Sequence, residues 1–250
     1  MPMAILHWFA QVGTQQPGGG RAGMFATRHK KSLGKCAKRF SIRAMRNGAS
    51  AHFARANTLV PPRWRKEVER ILITDRQIAR RVRQMACEIQ RDFAGRETVV
   101  IALLNGTMMF LADLIRNLSL PLRLDFMGVS SYGLGTEARE VMFTKELRLD
   151  VRGRDVLLVD DILDTGRTLS RVLPKIQALK PRRIKTCVLL DKVARREEDV
   201  EADYVGFEIP DFFVVGYGLD FAERYRNLPF VGVLHPHVYK AAIKSVNCKR

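Results

Sequence analysis

Residues 156–169 are VLLVDDILDTGRTL, and this stretch decides the fold of the 250-residue chain. Its first four residues are apolar, which predicts a strand buried on both faces, as in a parallel sheet. Asp160 and Asp161 end the strand, and a loop of small residues runs from Asp164 to Thr168. Apolar residues then recur at helical spacing from Leu169, so the loop leads into the N-terminus of a helix.

This arrangement suits a phosphorylated sugar. Main-chain N–H groups and threonine hydroxyls at a helix N-terminus bind phosphate. Carboxylates at the carboxyl end of a strand accept hydrogen bonds from sugar hydroxyls, and open α/β sheets bind ligands at this edge. A plain strand-to-helix turn is the alternative, and the length of the pattern argues against it.

The positive charge of the chain is concentrated at its N-terminus. The formal net charge is +17, and residues 1–66 hold 13 lysines and arginines and no acidic residue. The remainder carries 30 basic and 26 acidic residues. The basicity therefore belongs to a leader, and nucleic-acid binding, which a strongly basic chain would otherwise favour, is not expected of the domain.

Residues 1–66 lack the periodicity of a folded unit, and their basic, acid-free composition is typical of an organelle transit peptide. Only three serines occur there, which favours a mitochondrial over a plastid type. The alternatives are a disordered basic arm that binds nucleic acid and a stretch that is not translated in the cell. We therefore expect the protein in the cytoplasm or, if the leader directs import, in a mitochondrion or plastid.

The remaining sequence predicts one domain over residues 67–240, followed by a basic tail over 241–250. Four scattered cysteines show no metal-binding spacing and are typical of reduced intracellular thiols. The longest uncharged run beyond the leader, 98–112, is too short and too polar to span a membrane. Strands alternating with helices predict an α/β fold with a mainly parallel sheet. The predicted strands are 70–73, 98–104, 122–132, 141–147, 156–159, 184–190, 204–209 and 230–234.

The stretch 156–169 resembles the phosphoribosyl-diphosphate motif of the type I phosphoribosyltransferases. Four further segments extend the resemblance, in order, to the hypoxanthine-guanine phosphoribosyltransferases of the short plant and bacterial type. They are 103–111, 125–135, 189–196 and 208–233. The resemblance implies a twisted, mainly parallel sheet flanked by helices, with a small hood and a lid. It also implies a magnesium-dependent enzyme of purine salvage that takes a purine base and 5-phosphoribosyl 1-diphosphate.

The resemblance gives each residue of the central motif a role. Asp160 and Asp161 hold the ribose hydroxyls, and the loop 164–168 wraps the 5′-phosphate. Asp164 is also the family's proton-transfer residue at N7 of the base, a task that suits a carboxylate. The residues implied for the phosphoribosyl group are Asp160, Asp161, Asp164, Thr165, Gly166, Arg167 and Thr168.

Other implied roles lie elsewhere in the chain. Lys192 would donate to the 6-oxo group and so reject a 6-amino group. Phe213 would stack on the purine, in preference to Phe212, and Val214 would offer its main chain to the base edge. Asp220 is counted among the implied purine-binding residues and is the expected magnesium ligand, with Asp160 and Asp161 as further metal candidates. The residues implied for diphosphate are Leu104, Asn105, Gly106 and Arg226.

Two departures qualify the resemblance. Many relatives carry Lys or Arg in place of Asn105, so only the main-chain part of that loop's role carries over. The family's bond after the leucine at this point is often cis. Many relatives also have Glu in place of Asp160. The aspartate side chain is shorter, and we expect the site to tolerate this shorter reach. Ser131 and Tyr132 resemble the start of a mobile lid that excludes water from the reacting centre.

Two alternatives stay open at this point. Some proteins of this fold act as RNA-binding regulators, and fold alone does not decide function. A xanthine-preferring enzyme is the other alternative, because a lysine that recognises the 6-oxo group does not exclude a 2-oxo group. The family is usually dimeric or tetrameric, so we expect a homodimer or homotetramer.

Overall fold

The computed structural model describes residues 60–132 and 140–240. Over these residues the chain forms nine strands in two sheets. The strands are β1 Val68–Ile73, β2 Thr98–Leu104, β3 Leu122–Tyr132, β4 Glu140–Lys145, β5 Asp155–Leu163, β6 Arg183–Asp191, β7 Tyr204–Glu208, β8 Val214–Val215 and β9 Val231–Leu234.

The larger sheet has the order β4-β3-β2-β5-β6-β7, with the central stretch in β5. Only β4 runs antiparallel to its neighbour, and the four other strand pairs are parallel. The predicted parallel sheet is therefore confirmed. The carboxyl ends of β2 and β5 lie side by side, so the loops after them meet at one edge.

Helices cover both faces of this sheet. They are α1 Asp75–Asp92, α2 Met108–Arg116 and α3 Arg167–Ala178, with short 3-10 helices at Pro62–Trp64 and Val193–Arg195. A capping box begins α1, since Thr74 accepts from the Gln77 N–H and the Gln77 side chain accepts from the Thr74 N–H.

The core has two layers because the sheet strands are apolar on both sides. Val100 and Leu157 pack with α1 and α2 on one face. Ile101 and Leu158 pack with α3 on the other. Alternate side chains of a strand point to opposite faces, so an unbroken apolar run requires two covering layers. The layers hold the ends of β2 and β5 rigidly beside each other.

A smaller antiparallel sheet, β1-β9-β8, forms the hood. A separate apolar cluster supports it, and this cluster includes Val60, Trp64 and Tyr225. Val60 is 2 % exposed, and the Trp64 ring meets Tyr225 edge-on at 5.3 Å. Val60 and Trp64, which the sequence assigns to the leader, therefore pack on the domain.

Residues 1–59, which are most of the predicted leader, and residues 241–250, which are the whole basic tail, lie outside the described residues. Within the part that the structure describes, no helix has the length and apolar character needed to cross a membrane.

Candidate active site

A cavity of about 640 Å³ opens at the carboxyl edge of the parallel sheet. Its walls come from the loop after β2, from the end of β5 and the loop after it, and from the hood. All residues predicted for the phosphoribosyl and diphosphate groups line it, and Asp220 joins them. These residues are Leu104, Asn105, Gly106, Asp160, Asp161, Asp164, Thr165, Gly166, Arg167, Thr168, Asp220 and Arg226.

The acidic pair lies at the floor of this cavity. Asp160 Oδ1 accepts the main-chain N–H of Asp161 at 3.0 Å and lies 3.4 Å from the Thr107 hydroxyl, a donor. Burial and the neighbouring Asp161 charge raise the pKa of Asp160 well above its ordinary range. Burial also raises the pKa of Asp161. The site thus holds two adjacent carboxyl groups away from water. Such a pair favours a ligand that brings hydroxyl donors or a cation.

Gly106 is fixed by the close approach of this pair. A Cβ there would lie 1.7 Å from Oδ2 of Asp161, so any side chain would collide with the carboxylate. The bond between Leu104 and Asn105 is cis, as the resemblance implies, and the Asn105 side chain is exposed.

The loop after β5 ends at Gly166, one residue before α3 begins. Gly166 is the N-cap of α3 and has a φ of +92°. A side chain here is excluded twice, by that backbone conformation and by Val200 Cγ2 at 2.7 Å from an added Cβ. The Thr165 carbonyl accepts the N–H groups of Glu197 and Glu198 at 2.9 and 3.1 Å. The first N–H groups of α3 have no intrahelical acceptors and lie at the cavity, where they can bind an anion.

Asp164 faces two cations. Its Oδ1 lies 3.1 Å from Arg195 Nε, and its Oδ2 lies 3.7 Å from Lys192 Nζ. Lys192 is only 6 % exposed, so its ammonium group is held close to the carboxylate rather than in solvent. This places a proton acceptor beside a buried donor, the pair of groups that the resemblance assigns to a 6-oxopurine.

Of the purine-binding candidates, Asp220 lines the cavity, whereas Lys192, Phe213 and Val214 lie outside its lining. The Phe213 ring stacks on Tyr239, with ring centroids 4.6 Å apart and an angle of 12° between the planes. Phe221 meets Phe213 edge-on at 5.4 Å. Val214 is buried in β8. The structure thus brings the phosphoribosyl residues into one cavity but sets Phe213 and Val214 in the hood beyond it.

The hood supplies one carboxylate and one guanidinium to the cavity. Asp220 Oδ1 lies 3.0 Å from Arg226 Nη2, and Arg226 Nη1 donates to the Gly218 carbonyl at 2.9 Å. A Cβ on Gly218 would lie 2.0 Å from the Gly106 carbonyl oxygen, so the hood and the loop after β2 pack backbone to backbone.

The donor set bears on the predicted magnesium. Among the described residues, no group of three or more acidic, histidine or cysteine side chains is clustered closely enough to hold a metal alone. The predicted trio of Asp160, Asp161 and Asp220 is therefore not a self-sufficient metal cage. A carboxylate at the cavity wall fits an ion that takes most of its ligands from substrate oxygens and water, as magnesium does.

The described residues include only the start of the predicted lid. Ser131 and Tyr132 are the last residues of β3 and pair with Val141 and Glu140 of β4. The glycine-rich stretch 133–139 lies outside the described residues. The role of Ser131 and Tyr132 as a lid stays a prediction.

Three site residues were not predicted from sequence. Thr107 is buried beside Asp160, Arg195 faces Asp164, and Glu197 forms an ion pair with Arg167 at 2.6 Å. Arg195 and Glu197 fall in a charged stretch that is typical of a solvated surface. A sequence signal existed for two of the three, since Thr107 and Arg195 lie in segments that carry the resemblance, 103–111 and 189–196.

Comparison with known proteins agrees with this geometry. Residues 70–222 match the family model of the phosphoribosyl transferase domain. The hypoxanthine-guanine phosphoribosyltransferase of Bacillus subtilis is 45 % identical over 176 residues, which are 70 % of this chain and 98 % of that protein. A crystal structure of a Staphylococcus aureus hypoxanthine phosphoribosyltransferase superposes with a TM-score of 0.67 at 43 % identity, covering 69 % of this chain and 94 % of that one.

A longer relative also matches. The bifunctional protein TilS/HprT of Listeria monocytogenes is 45 % identical over 174 residues, and this chain spans only 27 % of its length. With the family model covering most of the chain and full-length relatives at this identity, the chain belongs to the hypoxanthine-guanine phosphoribosyltransferases of the phosphoribosyltransferase family.

Proposed function

We propose that this chain transfers the phosphoribosyl group of 5-phosphoribosyl 1-diphosphate to hypoxanthine or guanine, forming IMP or GMP and diphosphate. The observation that carries the proposal is the single cavity in which the acidic pair, the anion-binding start of α3 and Arg226 converge. These are the groups that a phosphorylated sugar with a diphosphate leaving group requires.

In this proposal the chain positions the sugar first. Asp160 and Asp161 accept hydrogen bonds from the ribose hydroxyls, which relieves the burial of their charge. The N–H groups at the start of α3, with the hydroxyls of Thr165 and Thr168, hold the 5′-phosphate. Fixing both ends of the sugar aims its reacting carbon at the base, which contributes through proximity and orientation.

Arg226 neutralises the diphosphate as it departs, and the main chain of Leu104, Asn105 and Gly106 contributes N–H groups. Magnesium, when bound, would screen the diphosphate charge with Asp220 as its main protein ligand, and Asp160 and Asp161 nearby. Electrostatic stabilisation of the leaving group is the main source of barrier lowering here.

The base is held by the other part of the site. Phe213 stacks on the purine, the main chain of Val214 contacts its edge, and Lys192 donates to the 6-oxo group. Asp164 takes the proton from N7 as the bond to the ribosyl carbon forms. Ser131 and Tyr132 begin a lid that keeps water from competing with the base.

A direct assay of nucleotide formation by the full-length chain tests this function. The purified chain receives 5-phosphoribosyl 1-diphosphate and, in turn, hypoxanthine, guanine, xanthine or adenine, with and without magnesium. We expect magnesium-dependent formation of IMP or GMP and none of AMP. An Asp164→Asn chain prepared identically serves as the control for contaminating host enzymes.

Other results of that assay would contradict the proposal. Turnover of xanthine alone would indicate a xanthine-preferring relative. No turnover with any base, together with RNA binding by the full chain, would make the regulator the better assignment.

We further propose that the protein assembles as a homodimer or homotetramer, by analogy with its family. Light scattering coupled to size-exclusion chromatography measures the mass directly, and a monomer at assay concentration would contradict this.

A further inference from the structure

A charge network lies beside Asp164, and only part of it belongs to the proposed reaction. Lys192 Nζ lies 3.7 Å from Asp164 Oδ2 and 3.7 Å from Asp211 Oδ1. Arg195 bridges the same two carboxylates, with Nε 3.1 Å from Asp164 Oδ1 and Nη1 3.5 Å from Asp211 Oδ1. Two cations and two carboxylates thus form a closed ring, in which Arg195 and Asp211 have no assigned task.

The contacts around Asp164 leave one of its two oxygens, Oδ2, open to accept a proton. Oδ1 is buried and accepts no hydrogen bond from any residue that the structure describes, although the Arg195 charge is beside it. Oδ2 lies 3.7 Å from Lys192, which is beyond hydrogen-bond distance. Arg195 therefore supplies positive charge on the Oδ1 side of the carboxylate and leaves Oδ2 available for the N7 proton.

Arg195 is held from both of its ends. Its backbone belongs to the 3-10 helix Val193–Arg195, where its N–H donates to the Lys192 carbonyl at 3.0 Å. Its guanidinium is held by Asp211, two residues before Phe213. The neighbouring Arg196 donates hydrogen bonds to the Asp164 carbonyl and to the Asp191 carboxylate. The segment that carries Arg195 therefore also fixes the backbone of the loop after β5.

This arrangement also bears on Lys192. In the ring, Lys192 is at equal distance from two carboxylates, and both compete for the ammonium group that the 6-oxo group of a purine needs. Arg195 offers both carboxylates a second cation at shorter distance. With Arg195 in place, Lys192 can turn to the base without leaving Asp164 and Asp211 unneutralised.

We propose that Arg195, anchored by Asp211, is a positioning residue that orients the Asp164 carboxylate toward the N7 proton and frees Lys192 for the 6-oxo group. This proposal rests on the proposed function. Arg195 acts through Asp164 and Lys192 and not through the phosphoribosyl group.

Steady-state and single-turnover kinetics of IMP formation test the proposal in the full-length chain. Arg195→Gln keeps the length of the side chain but removes the charge, and we expect kcat and the single-turnover rate to fall on the order of 10-fold to 100-fold. The KM for 5-phosphoribosyl 1-diphosphate should stay within about twofold, since Arg195, although it lines the cavity, pairs with Asp164 and Asp211 and not with the acidic pair of β5. Arg195→Lys should restore most of the rate. Asp211→Asn, which releases the guanidinium, should give a smaller loss of the same kind.

Two controls separate positioning from general damage. Arg171 is an exposed arginine of α3 that lines no part of the cavity, and Arg171→Gln should behave as the unmodified chain. In an Asp164→Asn background, Arg195→Gln should cause a smaller loss than in the unmodified chain, because the carboxylate that it orients is already gone and only its effect on Lys192 remains.

The outcomes distinguish this proposal from the function on which it rests. An unmodified chain that forms no nucleotide would overturn the proposed function. An active chain overturns only the role of Arg195 if Arg195→Gln keeps full turnover, if the loss lies wholly in the KM for 5-phosphoribosyl 1-diphosphate, or if the two substitutions multiply their effects.

Discussion

The two halves of the site are built from the chain in different ways. The half assigned to the phosphoribosyl group comes mainly from one segment, the end of β5 and the loop into α3. The half assigned to the base comes from the end of β6 and from the hood, where Phe213 packs with Phe221 and Tyr239. A contiguous segment of strand, loop and helix forms its binding geometry locally, whereas the base half depends on packing between distant parts of the chain.

The two halves also differ in physical character. The phosphoribosyl half buries carboxylates and presents N–H groups, so its affinity depends on charge and hydrogen bonds. The base half is an aromatic cluster beside one buried ammonium group, and its affinity depends on stacking and on one polar contact. Substitutions in the two halves should therefore separate turnover from affinity for the base.

The largest effect is expected where the two halves meet, at Asp164. Asp164→Asn keeps the shape of the side chain but removes the proton acceptor, so turnover should fall about 10²-fold to 10⁴-fold. Titration calorimetry of 5-phosphoribosyl 1-diphosphate with magnesium should show binding close to that of the unmodified chain. Near-normal turnover of the variant would contradict the proton-transfer role.

A second, smaller effect is expected in the base half. Phe213→Ala removes the stacking surface, and because stacking of a base on an aromatic ring contributes about 1–3 kcal/mol, the KM for hypoxanthine should rise on the order of 10-fold to 100-fold. The KM for 5-phosphoribosyl 1-diphosphate should change little. Phe212 is the matched control, because it packs against the main core and under the Arg70 guanidinium at 4.5 Å.

The two phenylalanines also test the assignment between neighbouring positions. Phe212→Ala should lower stability and leave the KM for hypoxanthine within about threefold, since it removes core packing rather than the stacking face. The reverse result, with the KM raised by Phe212→Ala only, would move the base-stacking role to Phe212.

The same contrast explains what the sequence alone could predict. The strand, acidic pair and glycine loop of 156–169 are local, so both fold class and phosphoribosyl residues follow from neighbouring positions. Thr107 and Arg195 enter the site only through tertiary contacts with Asp160 and Asp164. Neither contact leaves a periodic signal in the chain.

Residues 60–66 show the same limit of local information. Their basic composition continues that of the leader, but Val60 belongs to the hood core and Trp64 packs against Tyr225. A contact between residues so far apart in sequence cannot be read from the composition of either segment.

The buried carboxylates of the phosphoribosyl half differ from the buried carboxylate of Asp125, which lies in the scaffold. Asp125 of β3 accepts from the N–H groups of Arg148, Leu149 and Phe126 and from Lys145. Burial raises its pKa, but the hydrogen bonds from these N–H groups and from Lys145 outweigh it and lower the pKa to about 2. Asp160 has the opposite balance, since burial and the Asp161 charge raise its pKa. One carboxylate should stabilise the ligand-free fold, and the other should not.

The smallest effect is therefore expected on the stability of the fold. Replacing Asp125 should lower the stability, and replacing Asp160 should raise it. Asp125→Asn should lower the free energy of unfolding at pH 7 by about 2 kcal/mol, the equivalent of its pKa displacement. Asp160→Asn should raise the melting temperature of the ligand-free chain by about 2–4 °C, which corresponds to about 1 kcal/mol in a domain of this size. A fall in melting temperature for Asp160→Asn would contradict the view that the phosphoribosyl half carries its charge at a cost.

The pH dependence of the Asp125 effect follows from the sign of its shift. The pKa of Asp125 is lower in the folded than in the unfolded chain, so between about pH 2 and pH 4 the unfolded state binds more protons and stability rises with pH. The stabilisation is complete above roughly pH 4 and is lost as the pH falls through about 2. Urea unfolding at pH 7 and pH 3 should show the difference between the unmodified chain and Asp125→Asn falling to about half at the lower pH. An equal difference at both pH values would mean that Asp125 stabilises the scaffold by packing rather than by its charge.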